Sequence, residues 1–256
     1  TVQAIQAMES KSVKVFMGLG GNFARATPDS SRTEEALANC ELTVQVTTKL
    51  NKTHLAHGKK ALILPCLGRS ELDVQASGEQ SVTVEDSMGV VHSSRGRNQP
   101  ASENLKSEVA IVVGMARAAF PENQNIWQAL QDDYSLIRRK IEAVLPKLFE
   151  NYNEKITQPG GFRLYNSAAA RKWNTKTGKA RFITKPLPIL EVPPGKLRLM
   201  TIRSHDQYNT TIYGLNDRYR GIFGTRRVIL MNLQDMASIG IEHGQEVVIQ
   251  SHMEDG

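Results

Sequence analysis

Cysteine is nearly missing from this chain: Cys40 and Cys66 are the only two in 256 residues. Two thiols cannot supply a disulfide framework, which makes a reduced compartment the default. There is no C-x-x-C pair, so this stretch holds no iron–sulfur cluster of its own. Long apolar runs are also lacking. None approaches the roughly 18 residues of a membrane-spanning helix, and the residues present open with no charged-then-apolar leader. No G-x-x-x-x-G-K-[ST] loop occurs, because Gly58-Lys59-Lys60, Gly178-Lys179-Ala180 and Gly195-Lys196-Leu197 all depart from it. Aromatics are scarce, at 6%, and no basic cluster is interleaved with them. That speaks against a nucleic-acid surface. These absences predict a cytoplasmic protein with no transmembrane segment and no nucleic-acid partner.

What is present starts with 40% hydrophobic residues, enough for a buried core, and a net charge of +6. A mild positive balance suits an anionic, phosphate-bearing ligand. The most telling stretch is Lys14-Val15-Phe16-Met17-Gly18-Leu19-Gly20-Gly21-Asn22. An apolar strand breaks into glycines, as happens where an open α/β sheet delivers a strand end to a ligand. The dinucleotide fingerprint G-x-G-x-x-G fails, because Phe23 stands where its third glycine should be. The next strand ends in Thr47-Thr48 rather than in an acid. Ordinary NAD binding is therefore disfavoured, and a loop for another nucleotide is preferred over a purely structural turn.

The periodicity predicts a first helix with Val2, Ile5 and Met8 on one face, then strand Val13–Leu19. A loop over Gly20–Ser30 leads to a helix over Arg32–Asn39, with Ser31 and Glu34 as a capping box. Strand Leu42–Val46 follows, then a polar or helical piece near Lys49–His57 and a buried strand Ala61–Leu64. A βαβ order requires parallel strands. Val82 and Val84 alternate like an exposed strand, and Ser93–Pro100 reads as loop. Helices are expected over Glu103–Ala119 and, kinked at Pro146, over Asp133–Asn151. The domains expected are residues 1–151, a linker over 152–196 rich in Gly and Pro, and residues 197–256. The last is β-rich, with strands Leu197–Arg203, Arg227–Met231 and Glu246–Ser251 and a short helix capped by Asn232. Three strands cannot close a barrel, so this domain reads as incomplete.

Three clusters carry candidate chemistry. His54, His57 and Cys66 have zinc-compatible residue types, but they read far better as surface polar residues beside a small buried thiol. Ser70, Glu71, Asp73, Glu85, Asp86 and His92 offer acids and a hydroxyl, but their spacing organises no triad or carboxylate pair. Arg203-Ser204-His205-Asp206-Gln207-Tyr208-Asn209-Thr210-Thr211 is dense in donors that suit phosphate and a heterocycle, and reads equally as a polar loop.

Six motifs in order resemble the molybdopterin oxidoreductase superfamily, which includes dimethyl sulfoxide reductase, nitrate reductase and formate dehydrogenase catalytic subunits. Ile5–Asn22 looks like its helix–strand–loop opening. Ala61-Leu62-Ile63-Leu64-Pro65 resembles "A-D-V-V-L-P", and Ser94-Arg95-Gly96-Arg97 the loop around "E-G-R". Thr175–Phe182 resembles "T-x-x-G-K-A-x-F". Leu199–Arg203 resembles the first cofactor loop of the C-terminal domain, and Asn232–Gly244 resembles "N-P-x-D-A-x-x-L-G-I-x-x-G-D". The nearest branch looks formate dehydrogenase-like. Phe23 replaces a frequent proline, and Thr47 and Ala61 replace frequent acids.

The resemblance implies a Rossmann-like parallel-sheet α/β domain followed by part of a double-psi β-barrel. It implies molybdenum held by two molybdopterin guanine dinucleotides, a small redox substrate and an electron-transfer partner, and it leaves room for an iron–sulfur cluster outside this stretch. Gly20, Gly21, Asn22, Thr47, Thr48 and Asn51 would serve one guanosine end. Arg203, Ser204, Gln207, Tyr208, Asn209 and Thr210 would face pterin and phosphates. The metal-ligating and catalytic parts would lie elsewhere, leaving this stretch inactive alone. The competing reading is a non-catalytic α/β nucleotide-binding or interaction module.

Overall fold

A computed structural model describes residues 1–189 and 191–252. The chain divides into two compact units, Thr1–Ile189 and Leu190–Gly256.

The first unit opens with α1 (Val2–Glu9) and β1 (Val15–Leu19), then α2 (Phe23–Ala26), α3 (Ser30–Ala38), β2 (Leu42–Thr47) and β3 (Lys60–Pro65). The three strands form one parallel sheet in the order β1-β2-β3, with Gly18 opposite Gln45 and Gln45 opposite Ile63. The expected parallel order is what forms. The helices cover one face: Met8, Ala36, Leu37 and Cys40 are buried together with Ala24, and Phe16 and Phe23 pack against them. Side chains alternate across a strand, so Phe16 enters this core while Val15, Met17 and Leu19 remain exposed on the other face.

Two expectations are corrected here. Strand β3 is not buried, since Leu62 is 51% exposed and Ile63 is exposed beside it; helices cover only one side of the sheet. The cap of α3 is Asp29, which accepts from Arg32 N, so Ser30 and Ser31 lie inside the helix and no Ser31–Glu34 box forms. The expected loop 20–30 also contains the single turn of α2.

The chain continues through two short hairpin strands, β4 (Val74–Gln75) and β5 (Gly78–Glu79), into β6 (Val82–Glu85) and β7 (Val90–Ser94). Helices α4 (Glu108–Ala119), α5 (Gln124–Asp132), α6 (Tyr134–Val144), α7 (Pro146–Phe149) and α8 (Tyr152–Thr157) follow, then β8 (Phe162–Arg163). Helix α4 starts later than its apolar stripe suggests, because Ser107 takes the cap and accepts from Ala110 N. Ser107 Oγ also lies 2.7 Å from the Tyr134 hydroxyl, which donates to Asp73 Oδ2 at 2.6 Å. Burial and that carboxylate push the Tyr134 phenol up. The helix expected over Asp133–Asn151 is broken at Leu145, where the following proline disfavours helical backbone. Helix α5 had no sequence-based counterpart.

Strands β6, β7 and β8 form an antiparallel sheet in that order. Val91, Tyr152 and Ile156 make its core with Phe149 and Phe162. Residues 152–163 are thus packed elements, although their stretch is Gly- and Pro-bearing; residues 164–189 contain no helix or strand.

In the second unit, β9 (Gln207–Tyr208) pairs antiparallel with β10 (Thr211–Ile212), and α9 (Leu233–Ser238) is capped by Asn232, which accepts from Gln234 N. The strands expected over 197–203, 227–231 and 246–251 do not form: none of these segments pairs in a ladder among the described residues. Backbone groups of an extended segment need a neighbour to satisfy them. Here Leu199, Leu230 and Val248 stay exposed instead of facing one.

Candidate functional site

In the first unit the glycine loop lies at the C-terminal end of the parallel strands, the position where open α/β sheets bind ligands. Gly20 and Gly21 both have positive φ, 67° and 74°. A side chain there would be strained, although a Cβ at either would meet nothing within 4 Å. The bend is therefore fixed by backbone conformation and faces open space. Gly20 N donates to Val46 O at 2.8 Å, tying the loop to β2. The amides of Gly21 and Asn22 have no protein acceptor among the described residues.

The segment after β2 clamps this loop. Asn51 Nδ2 donates to Gly21 O at 2.8 Å, and Thr53 Oγ1 donates to Asn22 Oδ1 at 3.0 Å. The buried Ala24 N donates to Thr53 Oγ1, also at 3.0 Å. Asn51 caps the turn Lys52–Leu55: its Oδ1 accepts from Thr53 N, and His54 Nδ1 accepts from Asn51 N at 2.9 Å. Two polar atoms nearby in sequence, Gln45 Nε2 and His54 Nε2, are buried without a hydrogen-bond partner. Buried polar groups are normally satisfied, so each is a vacant donor or acceptor position.

The structure thus brings Gly20, Gly21, Asn22 and Asn51 together. Thr47 ends β2, but it is buried and its hydroxyl donates to Lys49 O, while Thr48 is exposed. Asn51 spends both ends of its amide inside the loop, which makes it a positioning residue. Thr53 went unread in the sequence; the Asn51-x-x-His54 capping-box spacing was the available signal. His54 is that box's acceptor, His57 Nδ1 contacts Gly58 O, and no group of three or more His, Cys, Asp or Glu suited to a metal exists among the described residues.

In the second unit the donor-rich loop is organised by a residue the sequence reading missed. Asp217 is fully buried. Its Oδ2 accepts from His205 N at 3.0 Å and from Arg220 Nη1 at 3.1 Å, and its Oδ1 lies 3.0 Å from His205 Nδ1. Burial raises its carboxyl pKa, but the His205 amide, Arg220 and the His205 ring outweigh that and hold it down at about 2. Arg226, nearly buried, donates to the carbonyls of His205, Gly214 and Asn216. The signal was an acid set close in sequence to Arg218, Arg220 and Arg226.

On this frame Ser204 Oγ donates to Gln207 Oε1 and Gln207 Nε2 donates to Asn209 O. Asn209 takes the left-handed conformation at the hairpin tip, φ 49°, which asparagine tolerates. Arg203, Tyr208, Asn209 and Thr210 are exposed. A groove of about 490 Å³ runs beside the hairpin between Ile212–Leu215 and Gly224–Arg227.

Residues 197–254 match the family described as the molydopterin dinucleotide binding domain. That match, together with relatives named as oxidoreductases, supports a molybdopterin oxidoreductase fragment. Among curated relatives of this chain, "Uncharacterized oxidoreductase Rv2900c" of Mycobacterium tuberculosis is 52% identical over 258 residues, covering 100% of this chain and 33% of the relative. "Uncharacterized oxidoreductase Mb2924c" of Mycobacterium bovis gives the same figures. "Protein YdeP" of Escherichia coli is 47% identical over 259 residues, covering 100% of this chain and 34% of the relative. The chain thus spans about a third of the length of these relatives. No helix among the described residues is long and apolar enough to cross a membrane.

Proposed function

We propose that this chain binds parts of a bis-molybdopterin guanine dinucleotide within a formate dehydrogenase-like oxidoreductase, and that its contribution is cofactor binding rather than catalysis. The carrying observation is the clamped glycine loop. It joins two unpartnered amides and open space at the ligand-binding end of a parallel sheet, and the orphaned His54 Nε2 belongs to the turn that clamps it. That donor set fits a phosphorylated nucleoside: backbone N–H groups in a positive-φ bend suit phosphate oxygens, and side-chain amides suit a purine edge.

In this reading the Rossmann-like first unit holds a guanosine end with Gly20, Gly21, Asn22 and Thr48, while Thr47, Asn51 and Thr53 keep the loop in place. The second unit is the partial double-psi barrel. Its Arg203, Ser204, Gln207, Tyr208, Asn209 and Thr210 hold pterin and phosphate groups, on a frame built by Asp217 and Arg226. When bound, the molybdenum centre supplies two-electron redox chemistry toward a small substrate. The residues of this chain orient the dinucleotide and exclude alternative poses. Metal ligation, substrate turnover, any iron–sulfur cluster and the electron partner belong to the remainder of the parent protein, which we place in the cytoplasm.

Nucleotide titration by thermal shift tests this. Guanosine diphosphate should raise Tm by mass action, equivalent to about 2.7 kcal/mol at a hundredfold excess over Kd. Selective stabilisation by NAD or adenine nucleotides, with none by guanosine diphosphate, would instead support a generic nucleotide-binding module.

A further inference from the structure

A cavity in the first unit shares no lining residue with the glycine loop. It measures about 1180 Å³, and four arginines, Arg95, Arg97, Arg138 and Arg139, line it against two carboxylates, Glu79 and Asp133. Of the four, only Arg95 has a salt bridge among the described residues, to Glu79 at 3.2 Å. Asp133 is occupied as the cap of α6, accepting from Ser135 N.

Arg138 is half-buried and faces only neutral acceptors: Nε donates to Asn153 Oδ1 at 2.6 Å and Nη1 to Ser81 O at 3.0 Å. Its Nη2 has no protein acceptor among the described residues. Burial draws its guanidinium below the ordinary value. Four guanidinium groups against two carboxylates leave the concavity with an excess of positive charge, and an incoming anion is drawn to it.

The walls are held rigid. Arg97 N and Asn98 N both donate to Ser70 O, and a Cβ at Gly96 would run into the Glu71 backbone. Gln80, buried, donates to Ser77 Oγ and Gly78 O and accepts from Tyr134 N. Hydroxyls of Ser93, Ser94 and Ser135 complete a lining rich in donors.

We propose that this cavity is an oxyanion site that takes a phosphate or diphosphate group. Planar guanidinium forks suit phosphate oxygens bidentately. The geometry stands apart from the glycine loop, so this inference does not depend on the guanosine reading.

Isothermal titration of the whole chain with sodium pyrophosphate and with inorganic phosphate tests it. The exposed pair Arg97→Gln/Arg139→Gln should weaken pyrophosphate binding about tenfold or more, as expected for losing charged hydrogen bonds. A charge-matched control, Lys172→Gln/Lys176→Gln, should change it little. A Gly96→Ala variant that remains folded by circular dichroism should also weaken binding by displacing the loop. A guanosine diphosphate arm separates two sources: weakening in the arginine variant points to a nucleotide diphosphate, and no weakening points to a free oxyanion. The proposal is overturned if neither anion binds, or if the arginine and lysine variants bind pyrophosphate equally.

Discussion

Replacing Thr53 by valine should loosen the glycine loop without changing its shape. Thr53 is 1% exposed, and one hydroxyl serves two bonds, from Ala24 N and to Asn22 Oδ1, each 3.0 Å long. Valine fills nearly the same volume and removes both. Asn22 is only half-buried, so water can replace the donor it loses. Ala24 is fully buried, and its amide would be left unpaired, at a cost of about 1–3 kcal/mol. We expect a loss near 2 kcal/mol, about thirtyfold in an equilibrium constant. Urea denaturation of the chain gives the global value, and hydrogen exchange at the Ala24 amide gives the local one. Thr53→Ser, which keeps the hydroxyl, should recover most of the loss. A Thr53→Val chain as stable as the parent, with Ala24 exchange unchanged, would refute the clamp.

Gly21→Ala should cost about 1–2 kcal/mol through left-handed backbone strain alone, read as a lowered Tm, because open space leaves no clash to add. Asp217 stabilises its loop above pH 3.8, the ordinary carboxyl value, and this contribution should fade as pH falls toward about 2; the His205 amide shift in NMR should titrate in that window. Asp217→Asn should lose that titration and expose the Arg226 region to proteolysis. Burial raises the thiols of Cys40 and Cys66, so iodoacetamide should label both slowly in the native chain and quickly in urea.

Much of the first sheet was legible because local rules agree there. The apolar runs at 15–19 and 42–47, the glycine break and the intervening amphipathic helix permit few other arrangements. Boundaries were less legible where two residues compete for one role. Asp29 wins the cap over Ser31, and Ser107 caps α4 four residues past Glu103, where the expected helix began. Helix α5 hid in the gap between the helices expected over Glu103–Ala119 and Asp133–Asn151. The strands expected near the C-terminus failed for another reason: alternation gives a segment's preference, but a strand exists only with a partner, and these segments find none. Gly20, Gly21 and Asn22 were readable as a bend from glycine chemistry. Thr53, Asp217 and Arg226 were not, because their importance lies in contacts 29, 12 and 21 residues away in the chain.

Elemental analysis of the purified, full-length parent protein tests the cofactor assignment most directly. Molybdenum stoichiometric with the polypeptide, released together with a guanine-containing pterin on denaturation, is the predicted result. A folded, active full-length protein that holds neither metal nor pterin would contradict it.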